Sequence, residues 1–178
     1  MNIKKKSALA AVATLLLILS VTTVFAAQVQ VGAEAGTYRE LPSETEFTLL
    51  WPAATALSVT CPFGTTDSGV FVDHITIGST KGSALGSEIS AAADGFVCEV
   101  GWDSQQGNYL QIDHANGWRT RYTHCKEIQV AQGDAVACGQ RIGTVGATGM
   151  ATGPCLGFYL FREAEACDPE LYLRSSAE

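Results

Sequence analysis

From Trp51 onward, the chain consists of short runs rich in Val, Ile, Thr, Tyr and Phe, which Gly, Asn or Asp interrupt about every ten residues. Long stretches with the period of an amphipathic helix are absent from this region. The pattern therefore predicts an all-β domain, mainly antiparallel, with few or no helices apart from the N-terminal segment.

Three strands are clear in the sequence, over residues 94–102, 108–115 and 118–125. The last two are separated by Asn116-Gly117, a strong hairpin signal because both central residues of a type I′ turn need positive φ. A glycine-punctuated stretch over residues 130–149 predicts further, very short strands. Alternation along the third strand predicts one face with Trp118, Thr120, Tyr122 and His124, and another with Arg119, Arg121, Thr123 and Cys125.

The N-terminus has the features of an export signal. Three lysines, at positions 4–6, precede an apolar run from Ala8 to Val24, and small residues suited to a signal peptidase end at Ala26. We expect residues 1–26 to be a cleaved signal peptide or an uncleaved membrane anchor, so the rest of the chain lies outside the cytoplasm. We assign residues 27–50 to an acidic spacer, 51–173 to the β domain and 174–178 to a tail.

The charge of the chain excludes some partners. Eighteen acidic residues face eleven basic ones, for a net charge of −7, and no basic patch is visible. This balance argues against a nucleic-acid partner and against adhesion to an anionic membrane surface. Contact with a membrane is expected only through an uncleaved N-terminal anchor.

All six cysteines lie in the exported part of the chain, at positions 61, 98, 125, 138, 155 and 167. An even number outside the cytoplasm permits up to three disulfides, and the sequence does not choose among the connectivities. Cys167, twelve residues after Cys155, is a candidate partner for it. No Cys-x-x-Cys pair occurs, so neither a zinc knuckle nor a thioredoxin-type redox site is indicated.

The three histidines are the first candidates for chemistry. His74 follows Asp73 in a strand-like stretch and is either a metal ligand or a surface residue. His114 adjoins the hairpin turn and is predicted to be solvated. His124 ends a strand, where it serves as a proton shuttle or packs as an ordinary side chain.

Five sequence blocks, in order, resemble the lysostaphin/LytM-type zinc metalloendopeptidases. The blocks are WPAATALSVTCPFG (51–64), His74 with AAADGFV (91–97), GNYLQIDHANGWRTRYTHC (107–125), VAQGDAVACGQRIGTVGATGMATGPCLGFYLF (130–161) and DPELYL (168–173). The resemblance covers about residues 51–173. It implies a compact antiparallel β-sheet groove, and an activity that cuts the peptide cross-links or stems of bacterial peptidoglycan with one catalytic zinc.

The resemblance also assigns positions, and several of them have changed. His74 matches the first zinc ligand, but Gly78 stands where the family has an aspartate ligand. His124, in Tyr-Thr-His, matches the histidine that assists at the zinc-bound water. The family ends this site with His-Leu-His, where Cys155 and Gly157 stand here, so a catalytic histidine and a zinc ligand are both replaced.

We therefore favour an exported domain of this family that has lost zinc binding and catalysis, and that binds peptidoglycan peptide or another envelope protein. Two alternatives stay open: an active endopeptidase with the unusual ligand set His74, His124 and Cys155, or a Cys155–His124 thiolate–imidazolium pair. Asp73 is not expected to replace the lost aspartate, because strand alternation directs it away from His74. A plain structural module with an empty groove is the third possibility.

Four further residues are candidates for binding along the groove. Trp118 and Tyr122 offer rings that stack on sugars, although buried aromatics are commoner in small β domains. Arg119 and Arg121 offer charges for a carboxylate of a stem peptide or of a partner, although surface arginines need no such role.

Overall fold

The computed structural model describes residues 47–174, which form fourteen strands and two short 3-10 turns, at Ala115–Gly117 and Pro169–Leu171. The predicted export segment at residues 1–26, residues 27–46 of the predicted spacer and residues 175–178 lie outside the described part. The strands are β1 Leu49–Leu50, β2 Ser58–Cys61, β3 Gly64–Thr65, β4 Phe71–Val72, β5 Ile75–Gly78, β6 Glu88–Ser90, β7 Gly95–Asp103, β8 Gly107–Asp113, β9 Trp118–Ile128, β10 Ala135–Val136, β11 Arg141–Val145, β12 Leu156–Arg162, β13 Glu165–Cys167 and β14 Leu173–Arg174. The all-β prediction is confirmed.

One large sheet carries the fold, with the strand order β10-β7-β8-β9-β12-β5-β2. All of these neighbours pair antiparallel. Strand β11 pairs with both β6 and β9, and β13 pairs with β12. Two small sheets complete the structure, the parallel pair β1–β14 and the hairpin β3–β4. The two central strands, β9 and β12, are therefore held on both sides.

The predicted hairpin between β8 and β9 is confirmed, together with its turn. Asn116 has φ 58° and ψ 32°, and Gly117 has φ 75°. These positive φ values match the right-handed twist of the two strands, which explains the Asn-Gly sequence. The backbone N–H of His114 donates to the carbonyl of Trp118 at 2.8 Å and closes the hairpin.

The core lies against one face of the large sheet. Ile75 and Ile77 of β5, Leu156 and Phe158 of β12, and Tyr122 of β9 are all fully buried. In each strand the intervening residues point to the opposite face, as the two-residue period requires. The phenol of Tyr122 is buried without a polar penalty, because its oxygen accepts from the backbone N–H of Ala92 at 2.9 Å.

Trp118 is buried at the edge of this core, with 6% of its surface exposed. Its indole stacks on Phe47 at 4.8 Å and meets Tyr172 edge-on at 4.9 Å. Leu49 is also buried and pairs with Leu173. Residues 47–50, which we had placed with the spacer, thus pack as part of the β domain.

His114 is not solvated as predicted, since both of its ring nitrogens are engaged. Nδ1 donates to the carbonyl of Asp94 at 2.7 Å, and Nε2 lies 2.8 Å from the hydroxyl of Thr120, which donates to it when the ring is neutral. Burial lowers the pKa of His114 below its usual 6.5, against the opposing charges of Asp113 and Asp94. The histidine therefore ties the Asp94 turn to β9 in its neutral form.

All six cysteines are free thiols in this structure, so a bridge between Cys155 and Cys167 is not formed. Cys125 is the most deeply buried, and burial raises its pKa to about 12. Within residues 47–174, no helix is long and apolar enough to cross a membrane.

Candidate functional site

The face of the sheet opposite the core carries the residues that the resemblance assigned to a metal centre. We call it the groove face. Its members are His74, Thr76 and Gly78 at β5, Arg119, Arg121 and Thr123 on β9, and Gly157, Tyr159 and Phe161 on β12. Gly157 lies at its centre, because it pairs with Thr76 on one side and Thr123 on the other.

His74 stands just before β5, with its ring stacked on that of Tyr159 at 4.3 Å between centroids. Its Nδ1 lies 3.1 Å from a carboxylate oxygen of Asp73. The prediction that Asp73 points away from His74 is wrong, because both residues precede the strand and its alternation does not apply to them. Asp73 orients the imidazole through Nδ1, which leaves Nε2 as the nitrogen free to act on a ligand.

His124 marks a break in β9. Residues 118–123 pair with β12, residues 125–128 pair with β11, and His124 between them has φ 62°. This left-handed residue interrupts the alternation. Its ring consequently lies on the groove face, 3.6 Å from the position a Cβ on Gly157 would occupy, while Cys125 turns into the core.

The prediction that His124 shares a face with Trp118 and Tyr122 is therefore wrong, because both aromatic residues belong to the core. Nδ1 of His124 donates to the carbonyl of Thr148 at 2.8 Å. In the neutral ring this bond leaves the Nε2 lone pair available as a base or an acceptor. The position that assists catalysis in the family thus keeps a competent side chain.

Gly78 and Gly157 offer no donors at the other two ligand positions. A Cβ at Gly78 would contact the side chain of Thr60 at 3.4 Å, which is tight but tolerable. A Cβ at Gly157 would overlap the hydroxyl oxygen of Thr123, which itself bonds the carbonyl of Gly157 at 3.3 Å. The Thr123 side chain therefore fills the space where a ligand at position 157 would begin.

Cys155 is half-buried at the start of β12, where its backbone N–H donates to the carbonyl of Gly146 at 3.0 Å. Burial raises the pKa of its thiol, and no nearby charge opposes this shift. A nucleophilic cysteine needs the reverse, a cation or hydrogen bonds that stabilise the thiolate. The surroundings of Cys155 favour the neutral thiol and give no support to a thiolate–imidazolium pair with His124.

A catalytic zinc requires three protein ligands and an open position for water. Within residues 47–174, no three His, Cys, Asp or Glu side chains converge as a group able to hold a metal ion. The candidate donors at this site are the imidazoles of His74 and His124 and the thiol of Cys155, and these three do not converge on one point. This donor set does not fit a catalytic zinc.

Of the four residues predicted to bind along the groove, two lie in the core and two lie on the groove face. Tyr122 and Trp118 are core residues, so their prediction as groove aromatics is wrong. Arg119 lies on the groove face and pairs with Asp113 through Nε at 2.5 Å. Arg121 lies there as well, among the rings of Tyr109, Tyr159 and Phe161.

Sequence patterns alone did not reveal the residues that surround Arg121. Gln111 on β8 pairs with Arg121, and Glu99 on β7 pairs with Gln111, so the three polar residues lie in one row across the sheet. Alternation along the predicted strands 94–102 and 108–115 carried this signal. To identify the row, one must also know which strands are neighbours in the sheet, and the sequence of a single strand does not contain that information.

Comparison with known proteins identifies the family. The sequence of the chain matches the family model described as peptidase family M23 over residues 75–169, which is more than half of the chain. The peptidoglycan DD-endopeptidase ShyC of Vibrio cholerae is 42% identical over 74 residues, which are 42% of this chain and 17% of that protein. The murein hydrolase activator EnvC of Escherichia coli is 31% identical over 96 residues, 54% of this chain and 23% of that protein.

Among solved structures, a zinc-containing peptidase from Vibrio cholerae superimposes with a TM-score of 0.60 and 30% identity. The match covers 67% of this chain and 38% of the other. This chain thus spans 17% of the length of ShyC and 23% of that of EnvC. Fold and sequence agree, and the chain belongs to peptidase family M23.

Proposed function

We propose that this protein is an exported M23-type domain that has lost zinc binding and catalysis and acts as a peptidoglycan-binding or regulatory protein in cell-wall remodelling. The observation that carries the proposal is the glycine at position 157, in the centre of the groove face. The resemblance gives that position to a zinc ligand, and here the hydroxyl of Thr123 occupies the space of the missing side chain.

The retained parts of the groove support a binding role. His74 is held by Asp73 and Tyr159, and His124 is held by the carbonyl of Thr148. Each imidazole thus has a hydrogen-bond partner, although the ligand set that would need it is incomplete. A preorganised polar groove without a catalytic metal is suited to hold a peptide and leave it uncut.

The relatives are compatible with both halves of the proposal. ShyC is named as a peptidoglycan endopeptidase, which supports peptidoglycan peptide as the ligand class. EnvC is named as an activator of a murein hydrolase, which supports a regulatory role toward another envelope protein. The short span shared with each relative makes both transfers proposals about this chain.

The test combines three measurements on the purified protein. We expect it to sediment with isolated cell-wall sacculi, to release no soluble peptide from them, and to hold close to no zinc after incubation with excess zinc. Release of peptide that His124→Ala abolishes would establish the alternative, an active enzyme with an unusual site. Failure to sediment with sacculi would remove the wall-binding half of the proposal and leave an envelope protein as the partner to seek.

A further inference from the structure

Arg121 lies on the groove face of β9, two residues before Thr123, the strand partner of Gly157. It pairs with Tyr159 of β12, and the ring of Tyr159 stacks on His74. Its guanidinium carbon lies 5.7 Å from the ring centroids of Tyr109 and Phe161 and 5.9 Å from that of Tyr159. The half-buried charge is thus held among three aromatic rings, which limit its motion and shield it from water.

The hydrogen bonds of Arg121 leave part of its capacity unused. One terminal nitrogen donates to Oε1 of Gln106 at 3.3 Å and the other to Oε1 of Gln111 at 3.1 Å. Nε is buried and has no partner. A guanidinium has five N–H donors, so each terminal nitrogen retains one more. Each terminal nitrogen therefore has a further donor to offer, and an arginine can bind a carboxylate through two such N–H groups, one to each oxygen.

No counter-ion satisfies this charge within the described part of the chain. The ion pairs there are His74 with Asp73 and Arg119 with Asp113, and no carboxylate lies within 4.0 Å of the Arg121 guanidinium. Both of its acceptors are neutral amide oxygens. Glu99, the nearest acid in the row, accepts from the phenol of Tyr109 and from the amide of Gln111.

These contacts fix Gln111 in one orientation. Its NH₂ group donates to Glu99, so its oxygen must face Arg121. The arrangement aims and holds the guanidinium without neutralising it. A half-buried cation held in this way gains more from a carboxylate than a mobile surface arginine does, because little side-chain entropy remains to be lost.

We propose that Arg121 binds the free carboxylate of a peptidoglycan stem peptide that lies along the groove face past His74. The inference rests on the proposed function and adds to it a ligand class, a peptide with a free carboxylate, and an anchor residue. Arg119 lies two residues away on the same strand, but it does not share this role because its guanidinium already pairs with the carboxylate of Asp113.

The test measures binding of two synthetic peptides by calorimetry: diacetyl-L-Lys-D-Ala-D-Ala with a free C-terminal carboxylate, and the same peptide as the C-terminal amide. We expect the wild-type protein to prefer the acid by about tenfold or more, as charge-assisted hydrogen bonds require. Arg121→Gln should bind both peptides equally and weakly. Arg121→Lys keeps the charge but loses the paired N–H donors. Its preference for the acid should therefore lie between that of the wild type and that of Arg121→Gln.

Arg119→Gln is the matched control, since it removes a neighbouring cation from the same strand. It should retain the preference for the acid. Equal binding of acid and amide by the wild type, no binding of the acid at millimolar concentration, or an equal loss in Arg119→Gln would each overturn the proposal. If sacculi still sediment with the Arg121→Gln protein at the wild-type level, the carboxylate anchor is wrong while the proposed function stands.

Discussion

The two faces of β5 and β12 differ sharply, although both are formed by the same two strands, whose alternate residues point to opposite sides. On the core face, Ile75, Ile77, Leu156 and Phe158 form an unbroken apolar surface with no exposed area. On the groove face, Gly78 follows Ile77 and Gly157 lies between Leu156 and Phe158, and neither glycine carries a side chain. The core face is closely packed, whereas these two positions of the groove face offer no metal donor.

This difference teaches that fold and chemistry are separable within a single strand. The two-residue period sends adjacent side chains to opposite faces, so a change at position 157 does not disturb the packing of positions 156 and 158. The fold therefore does not by itself imply the family's activity. The following experiments test how complete the separation is.

The largest expected effect is the return of zinc binding to the groove face. The changes Gly78→Asp, Cys155→His and Gly157→His, combined with Thr123→Ala, should raise the zinc content from close to none to about one ion per chain, because three ligands then face one point. Elemental analysis of the folded variant measures this. A folded variant that holds no zinc would mean that Gly78 and Gly157 are not the lost ligand positions.

The same variant with Thr123 retained isolates the role of that hydroxyl. Overpacking at position 157 should cost about 1–3 kcal/mol, which corresponds to zinc binding weaker by about five- to 150-fold. Competition with a zinc chelator measures the ratio of the two affinities. Equal affinities would mean that Thr123 does not fill the ligand position.

The next effect concerns the core face. Phe158→Ala should lower the free energy of unfolding by about 3–5 kcal/mol, because a fully buried ring beside Tyr122 leaves a cavity. Urea denaturation measures this. His74→Ala, on the opposite face of the neighbouring strand, should cost less than about 1 kcal/mol. Similar losses in the two variants would show that stability depends on both faces.

A smaller effect is a dependence of stability on pH through His114. Its folded pKa is lowered below 6.5, so the unfolded chain binds the proton more readily. The contribution of neutral His114 to the free energy of unfolding is fully present above about pH 6.5 and declines as the pH falls below that value. Unfolding free energies measured across this range should show the decline in the wild type and a flatter profile in His114→Gln. Parallel profiles would rule out His114 as the cause.

The smallest effect is expected at the Arg119–Asp113 pair, whose side chains are 41% and 45% exposed. Arg119→Gln should change the free energy of unfolding by less than about 1 kcal/mol, and added salt should reduce the difference, because water and ions screen exposed charges. Denaturation at two salt concentrations measures this. A larger loss that is insensitive to salt would indicate packing by the arginine stem.

The sequence by itself determined the β class, the β8–β9 hairpin with its Asn-Gly turn, and the absence of side-chain donors at positions 78 and 157. Each of these depends on local rules: the alternation of residues, the φ values that a turn demands, and the absence of a side chain on glycine. These rules hold whatever the rest of the chain does.

Only the tertiary structure decided which residues face the groove. Alternation along β9 placed His124 with the core aromatics, but a left-handed residue at the change of partner strands reversed its direction. The Arg121 row requires β7, β8, β9 and β12 to lie side by side in one register, and the overlap of Thr123 with position 157 requires the same. Neighbours across a sheet are set by long-range pairing, which local sequence patterns do not specify.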